Sequence, residues 1–144
     1  MRIELPESLA SALPSTGGSD PVRVGVDIVE IDRVQAAVER WGERFLRRVY
    51  TAEELAYCRG RPPQLAARFA AKEAVMKALG TGIRGVGWKE VEVCKEASGA
   101  PAVRLHGQAR TRARSLGTGF LSISLSHSRK YAVAFVIAVR GEPL

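Results

Sequence analysis

The sequence has only two cysteines, Cys58 and Cys94, which lie far apart without a Cys-X-X-Cys motif or a histidine at zinc-ligand spacing. Neither a disulfide framework nor a zinc site is expected, and the composition suits a reducing compartment, the cytoplasm. Aromatic residues make up only 6% of the chain. Such a content does not favour the stacking surfaces that bind single-stranded nucleic acids.

Long apolar runs are also missing. No stretch approaches the roughly 20 consecutive apolar residues of a membrane span, so we expect a soluble protein that does not bind a membrane. The first twenty residues lack a basic start followed by an apolar run and carry Glu4 and Glu7, which excludes a signal peptide. Because residues 15–21 are small and polar, we predict a flexible extension over residues 1–21 and a single domain over residues 22–144.

Positive charge is in excess, with a formal net charge of +7. Such a balance favours an acidic partner, which could be a nucleic acid, an anionic membrane surface, an acidic protein or a phosphorylated small molecule. Charge alone does not choose among these partners.

A strand with strict alternation begins the predicted domain. Four apolar residues point to one side, where we expect the core: Val22, Val24, Val26 and Ile28. Asp27 lies near the strand end on the other face, and Gly25 beside it leaves room for a ligand or another backbone to approach.

The central element is a helix that begins at Pro62 and ends at Gly80 and is apolar nearly all the way round, as buried helices are. Glu73 emerges among its apolar residues and needs a partner, for which Lys77, four residues on, is the simplest choice. Arg68 and Lys72 are like charges at the same spacing, with no counter-charge on this helix. The helix is therefore either a structural element with one ion pair or one wall of a site for an anion.

Between this strand and the central helix, apolar spacing from Ile31 to Trp41 predicts one helix that also carries a stripe of arginines: Arg33, Arg40, Arg44 and Arg47. The stripe is either a solvated face or a docking surface for an acidic protein helix. After the central helix we predict a hairpin around residues 91–105, a helix over residues 107–116 and two final strands. The last strand is apolar on both faces, so we expect both to be covered.

Three polar residues fall at the ends or faces of these core elements: Asp27, Glu73 and His127. Two carboxylates suit Mg²⁺, which keeps several waters and takes one or two protein carboxylates together with substrate phosphate oxygens. Nearby cations of the central helix could neutralise phosphates: Arg68, Lys72 and Lys77. Metal-binding carboxylates together with cations that neutralise phosphates are typical of enzymes that transfer phosphoryl groups.

Three segments carry a family resemblance. They are GVDIVEIDR at residues 25–33, RFAAKEAVMKALG at residues 68–80, and SLSH at residues 124–127 followed by YAVA at residues 131–134. In this order and spacing they resemble the signature blocks of the holo-acyl-carrier-protein synthases, the small single-domain 4′-phosphopantetheinyl transferases. The resemblance implies an α+β fold in which a buried central helix packs on a mainly antiparallel sheet.

The resemblance also implies an activity, in which coenzyme A donates its 4′-phosphopantetheine arm to a serine of an apo acyl carrier protein and leaves as adenosine 3′,5′-bisphosphate. Position by position, Asp27 and Glu73 would bind Mg²⁺, and Lys77 would contact the same phosphates. Further coenzyme A contacts are implied for Arg68, Lys72 and His127. The serine proton would pass to a carboxylate or to a water.

The arginine stripe of residues 33–47 would then dock the acidic carrier protein, and a homotrimer with active sites at subunit interfaces is implied. Such an enzyme acts in fatty-acid biosynthesis or in polyketide synthesis, and the sequence does not choose between these pathways. The alternative is a small basic RNA-binding module, supported by Arg110, Arg112 and Arg114 but opposed by the low aromatic content. A coenzyme A-binding protein without catalysis is a further alternative, and it would not require two metal-binding carboxylates.

Overall fold

The computed structural model describes residues 21–82 and 85–142 of the chain. Within these residues, five strands and five α-helices follow one another as β1 (Val22–Glu30), α1 (Ile31–Trp41), α2 (Glu43–Val49), α3 (Ala52–Cys58), α4 (Pro62–Leu79), β2 (Val91–Lys95), β3 (Pro101–Leu105), α5 (Gly107–Ser115), β4 (Thr118–His127) and β5 (Tyr131–Arg140). The predicted α+β class is confirmed. The predicted N-terminal extension lies almost entirely outside the described residues.

Three strands form the sheet that carries the domain. Their order is β1-β5-β4, all antiparallel, while β2 and β3 form a separate hairpin. Asp27 pairs with Ala134 of β5, and His127 of β4 pairs with the neighbouring Ala132. Because directly opposed residues share a face, Asp27 and His127 lie on the same face near the same end of the sheet, on its two edge strands.

The central helix α4 packs across this face. It begins at the two prolines and ends at Gly80, whose φ of 70° closes the helix in the left-handed conformation. Two arginines from other elements bind its last carbonyl groups: Arg23 Nε donates to the Ala78 oxygen at 2.7 Å and Arg112 Nε to the Leu79 oxygen at 2.9 Å. These contacts place positive charge at the negative end of the helix dipole and satisfy carbonyls that have no partner within the helix.

The expectation for the first strand is wrong about which face is buried. Helix α4 packs on the side of Gly25 and Asp27, and a Cβ at Gly25 would collide with the carbonyl oxygen of Ala74. On the opposite face of β1, four apolar side chains are between 52% and 62% exposed: Val22, Val24, Val26 and Ile28. The glycine thus admits the helix backbone, which was one of the two uses predicted for it.

Strand β5 likewise has one covered face. Its alanines are buried against α4, whereas Phe135 on the opposite face is 41% exposed and is paired with Val26 of β1. The apolar sides of β1 and β5 therefore form one continuous exposed surface, which we call the outer sheet face. The expectation that both faces of β5 are covered is not met within a single chain.

The predicted single helix after β1 is two helices. Helix α1 ends at Trp41 and α2 begins at Glu43, because Gly42 between them adopts a φ of 54° that a continuous helix cannot accommodate. Trp41, which the spacing placed on the apolar face, is 53% exposed. Of all the helices in residues 21–82 and 85–142, none is long and apolar enough to cross a membrane.

Candidate active site

Two carboxylates from different elements lie beside one cavity of about 290 Å³. Asp27 comes from β1 and is buried, and Glu73 comes from α4 and is half-buried. Burial and, after it, the neighbouring Asp27 carboxylate, through a shared hydrogen bond and its negative charge, together raise the pKa of Glu73 to about 7. The structure therefore brings together the two carboxylates that the sequence singled out.

Lys77 neutralises one member of this pair. Its ammonium group donates to Asp27 Oδ1 at 3.0 Å and to the carbonyl oxygen of Val26 at 2.9 Å. Within the described residues it forms no salt bridge with Glu73, so the simple ion pair between helix neighbours is not observed. The charges of Lys77 and Arg33 lower the pKa of Glu73, but burial and Asp27 outweigh them.

The donor set fits a hard divalent cation. Among residues 21–82 and 85–142, no group of three or more His, Cys, Asp or Glu side chains is arranged to hold a metal ion. Asp27 and Glu73 are a pair, which is the number of protein carboxylates that Mg²⁺ commonly uses when substrate phosphates and water supply the rest. Burial is the largest cause of the raised pKa of Glu73 and the Asp27 carboxylate adds to it, so a cation bound between the two carboxylates would stabilise the charged form of Glu73.

A second cavity, of about 190 Å³, holds two of the residues that were predicted to bind coenzyme A. Arg68 of α4 is only 5% exposed, and its Nε is without a hydrogen-bond partner in the described residues. His127 is exposed at the end of β4 and lines the same cavity, together with Tyr57 and Lys95. A buried cation with an unused donor and a histidine suit a phosphate group.

Within one chain these two cavities are separate. They share no lining residue, and β5 lies between the strands that carry Asp27 and His127. On α4, Arg68 and Glu73 are five positions apart, which is about 140° around the helix axis. A single chain thus presents the carboxylates on one side of the central helix and the Arg68 and His127 pair on another.

Lys72 does not belong to either cavity. It is fully buried, and its ammonium donates to Glu54 Oε1 at 2.8 Å, the Val91 oxygen at 2.6 Å and the Trp88 oxygen at 3.1 Å. Burial lowers the pKa of Lys72, and the Glu54 carboxylate opposes this by stabilising the charged form. All three ammonium donors are used, so the predicted contact between Lys72 and coenzyme A is contradicted.

The counter-charge that the helix lacks therefore comes from Glu54 on α3. Glu54 also forms a capping box with Thr51 at the start of α3, and its role as the partner of Lys72 was missed by the sequence reasoning. The capping contact leaves the carboxylate of Glu54 able to bind other groups, and it also accepts a hydrogen bond from the backbone N–H of Val93 at 3.0 Å. The pair ties α3, α4 and the hairpin together.

The break at Gly42 also divides the predicted arginine stripe. Arg33 lies in the carboxylate cavity. Arg40 stacks on the neighbouring Trp41 ring at 4.9 Å, and Arg47 forms an exposed ion pair with Glu43 at 3.3 Å. A shallow apolar groove that the sequence reasoning missed is lined by Arg44 together with Trp41, Phe45 and Arg48.

The arginines of α5 that favoured RNA binding do not form one surface. Arg112 is turned inward to the end of α4, where it binds the Leu79 oxygen. Arg110 and Arg114 line a different cleft, between the hairpin and β4. A local alternation of arginines in the sequence therefore does not become a basic face in the fold.

Comparison with known proteins adds independent information. Residues 23–136 match the profile of the 4′-phosphopantetheinyl transferase superfamily. The chain is 51% identical over 122 residues to the holo-[acyl-carrier-protein] synthase of Herpetosiphon aurantiacus, and the match covers 80% of this chain and 96% of that one.

Solved structures of holo-[acyl-carrier-protein] synthases have a similar fold. The holo-[acyl-carrier-protein] synthase of Helicobacter pylori, crystallised with coenzyme A, superposes with a TM-score of 0.74 at 31% identity, over 80% of this chain and 98% of that one. The enzyme of Bacillus anthracis, crystallised with CoA (3′,5′-ADP), gives a TM-score of 0.68 at 30% identity, over 83% and 96% of the two chains. The chain therefore belongs to the 4′-phosphopantetheinyl transferase superfamily, within its holo-[acyl-carrier-protein] synthase family.

Proposed function

We propose that this chain transfers the 4′-phosphopantetheine arm of coenzyme A to a serine of an apo acyl carrier protein, with Mg²⁺, and releases adenosine 3′,5′-bisphosphate. The observation that carries the proposal is the cavity in which Asp27 and Glu73 meet beside Lys77. The relatives bear the name of this activity, and the Bacillus anthracis relative was crystallised with CoA (3′,5′-ADP).

In the proposed reaction the serine oxygen of the carrier forms a bond to the phosphorus that bears the pantetheine arm. The bond between that phosphorus and the bridging pyrophosphate oxygen breaks, and the electron pair leaves on adenosine 3′,5′-bisphosphate. Mg²⁺, held by Asp27 and Glu73, would withdraw negative charge from the pyrophosphate oxygens. Lys77, which is half-exposed beside Asp27, supplies a positive charge to the same oxygens. The serine proton passes to a carboxylate of this site or to a water.

Coenzyme A has further phosphate charge away from the reacting phosphorus, and Arg68 and His127 are the residues that we assign to it. Their cavity contains cations and a histidine, and within the described residues Arg68 takes part in no salt bridge. Guanidinium groups bind phosphate through charge-assisted hydrogen bonds, and the unused Nε of Arg68 is one such donor.

One coenzyme A molecule must reach both cavities, and we propose that it does so between subunits of a homotrimer. The outer sheet face is a continuous apolar surface of the kind that marks a protein interface, with Val26 at 56% and Phe135 at 41% exposure. In the proposed trimer this face would be buried against another copy, and the carboxylate cavity of one subunit would face the Arg68 cavity of the next. We propose a trimer in particular because the family resemblance implies this oligomeric state.

The acidic carrier protein would dock on α1 and α2. Arg33 lies at the carboxylate cavity, and Arg44 and Arg48 flank the apolar groove between Trp41 and Phe45. Arg40 and Arg47 add positive charge along the same two helices. The positive charge of this surface would attract the acidic carrier protein, and the apolar groove would contribute to the affinity of the complex. The free thiols of Cys58 and Cys94 suit the cytoplasm, where we place the reaction.

The test is a transfer assay that detects adenosine 3′,5′-bisphosphate by chromatography. With Mg²⁺, coenzyme A and an apo carrier protein, we expect one nucleotide released for each carrier modified, and no release when a chelator removes the metal. Glu73→Gln should reduce transfer by at least about 100-fold, because a metal ligand is lost. Wild-type rates in the chelator would contradict the metal assignment, and absence of nucleotide release by wild type would contradict the function.

A further inference from the structure

Tyr57, near the end of α3, lies at the centre of a group of cations. The Arg68 guanidinium carbon lies 4.0 Å from the ring centre, and the Lys95 ammonium lies 4.8 Å from it. The guanidinium of Arg61 lies 5.4 Å away. Cations are attracted to the face of an aromatic ring at such distances, so the ring draws together positive groups from α4 and β2.

Two of the three cations have free binding capacity. Arg61 is committed to the backbone, since it donates to the carbonyl oxygens of Cys58 at 2.9 Å and Tyr57 at 2.7 Å. Arg68 is buried with its Nε unpartnered, and Lys95 is exposed. Neither forms a salt bridge with any residue of the described segments. Both line the cavity of His127.

We infer that Tyr57 is a positioning residue for substrate binding, whose ring holds Arg68 and Lys95 side by side so that the two cations bind one phosphate group together. The inference rests on the proposed function, because the phosphate is taken to be one of coenzyme A. Without an attractive surface between them, two like charges would move apart in the free protein, and a phosphate would have to order them again on binding. The ring performs this ordering in advance.

The electrostatics at the phenol support this arrangement. Partial burial raises the pKa of Tyr57, but the neighbouring positive charges of Arg68 and Lys95 more than offset it, so the pKa lies below its ordinary value. Lys95 was not singled out by its position in the sequence, where it ends a hairpin strand, and it becomes part of a cation pair only through the fold.

A variant that removes the aromatic ring of Tyr57 and one that keeps it distinguish a role in positioning the cations from a role in packing alone. Tyr57→Leu is expected to raise the KM for coenzyme A about 10-fold with kcat changed less than about twofold, whereas Tyr57→Phe, which keeps the ring, should raise KM less than about threefold. In a Lys95→Met background, Tyr57→Leu should raise KM by a clearly smaller factor, because one of its two cations is already absent.

Three results would overturn the inference. They are an unchanged KM in Tyr57→Leu, equal effects of the Leu and Phe variants, or full additivity of Tyr57→Leu with Lys95→Met. Lys95 is exposed, so Lys95→Met alone keeps the test decisive if Tyr57→Leu fails to fold: it should raise KM about 5-fold or more, and an unchanged KM would overturn the assignment. Failure of wild type to transfer the arm would instead contradict the proposed function.

Discussion

The ammonium group of Lys77 binds the Asp27 carboxylate at 3.0 Å, although the carboxylate of Glu73 lies four residues before it on the same helix. Asp27 is therefore paired with a cation, whereas the pKa of Glu73 is raised to about 7. A site with one paired and one incompletely neutralised carboxylate is more stable with a further cation than without one. Binding of Mg²⁺ should consequently be visible in the stability of the protein as well as in its activity.

The metal-free protein should lose stability as the pH rises. The pKa of Glu73 is raised from its ordinary value of 4.5 to about 7 in the folded state, so the folded protein binds more protons than the unfolded chain between these values. Stability therefore falls with increasing pH across this window. Because Glu73 is partly exposed, we expect only about 2–5 °C in the midpoint of thermal unfolding between pH 5 and pH 8, measured as the excess over Glu73→Gln in a chelator.

At pH 8, Mg²⁺ should raise the unfolding midpoint of wild type and leave that of Glu73→Gln nearly unchanged. A variant with the same pH slope as wild type would show that Glu73 does not titrate as described. An equal response of both proteins to Mg²⁺ would place the metal elsewhere.

The buried pair of Lys72 and Glu54 should govern stability and not substrate affinity. Lys72→Met leaves the Glu54 carboxylate buried without its partner and is expected to lower the free energy of unfolding by about 3–5 kcal/mol. The double variant Lys72→Met with Glu54→Gln should recover part of this loss. The measurement is denaturant unfolding, together with the KM for coenzyme A of the folded fraction. A normally stable Lys72→Met with a raised KM would restore Lys72 to the substrate site.

A charge on the outer sheet face should separate the subunits. Val24 is 59% exposed in the single chain and lines neither of the two candidate cavities. Val24→Lys would place a charge in the proposed interface, and we expect the mass measured by light scattering to fall to that of one chain, with transfer reduced at least about 100-fold. Thr111→Lys, at an exposed position of α5, is the matched control. A Val24→Lys variant that is monomeric and fully active would contradict the shared site.

Charge reversal on α2 should weaken the carrier protein selectively. Arg44→Glu is expected to raise the KM for the carrier about 10-fold at low salt while the KM for coenzyme A stays constant, because Arg44 lies at the groove and not in either cavity. The difference from wild type should shrink as salt is added. Arg110→Glu, which reverses an exposed charge on α5, should leave both constants unchanged. An equal loss with Arg110→Glu would indicate that only net charge matters.

The sequence predicted the elements well where local chemistry sets them. The prolines and the glycine that bound α4 act on their own residues and neighbours, so the limits of the helix could be read directly. Alternation identified β1 as a strand, but it cannot tell which face is covered, because that depends on the partner. Here the buried face contains Gly25 and Asp27, which have little apolar surface, whereas Val22, Val24, Val26 and Ile28 face outwards.

The residues of the site could be predicted from the sequence only where they lie in elements that pack directly against each other within one chain. Asp27, Glu73 and Lys77 come together as expected, because strand and helix are packed directly against each other. The partner of Lys72 could not be found from spacing, since Glu54 is eighteen residues away on a different helix, where its carboxylate also caps the helix start. The role of Tyr57 depends on cations from two other elements, and no local pattern brings these together.

The most direct test of the central claim is the intact mass of an apo carrier protein after incubation with this protein, coenzyme A and Mg²⁺ at low salt. The account predicts a gain of about 340 Da, one phosphopantetheine arm, and no gain when the acceptor serine of the carrier is replaced by alanine. An unchanged mass for several carrier proteins, with folded wild-type protein and Mg²⁺ present, would contradict it.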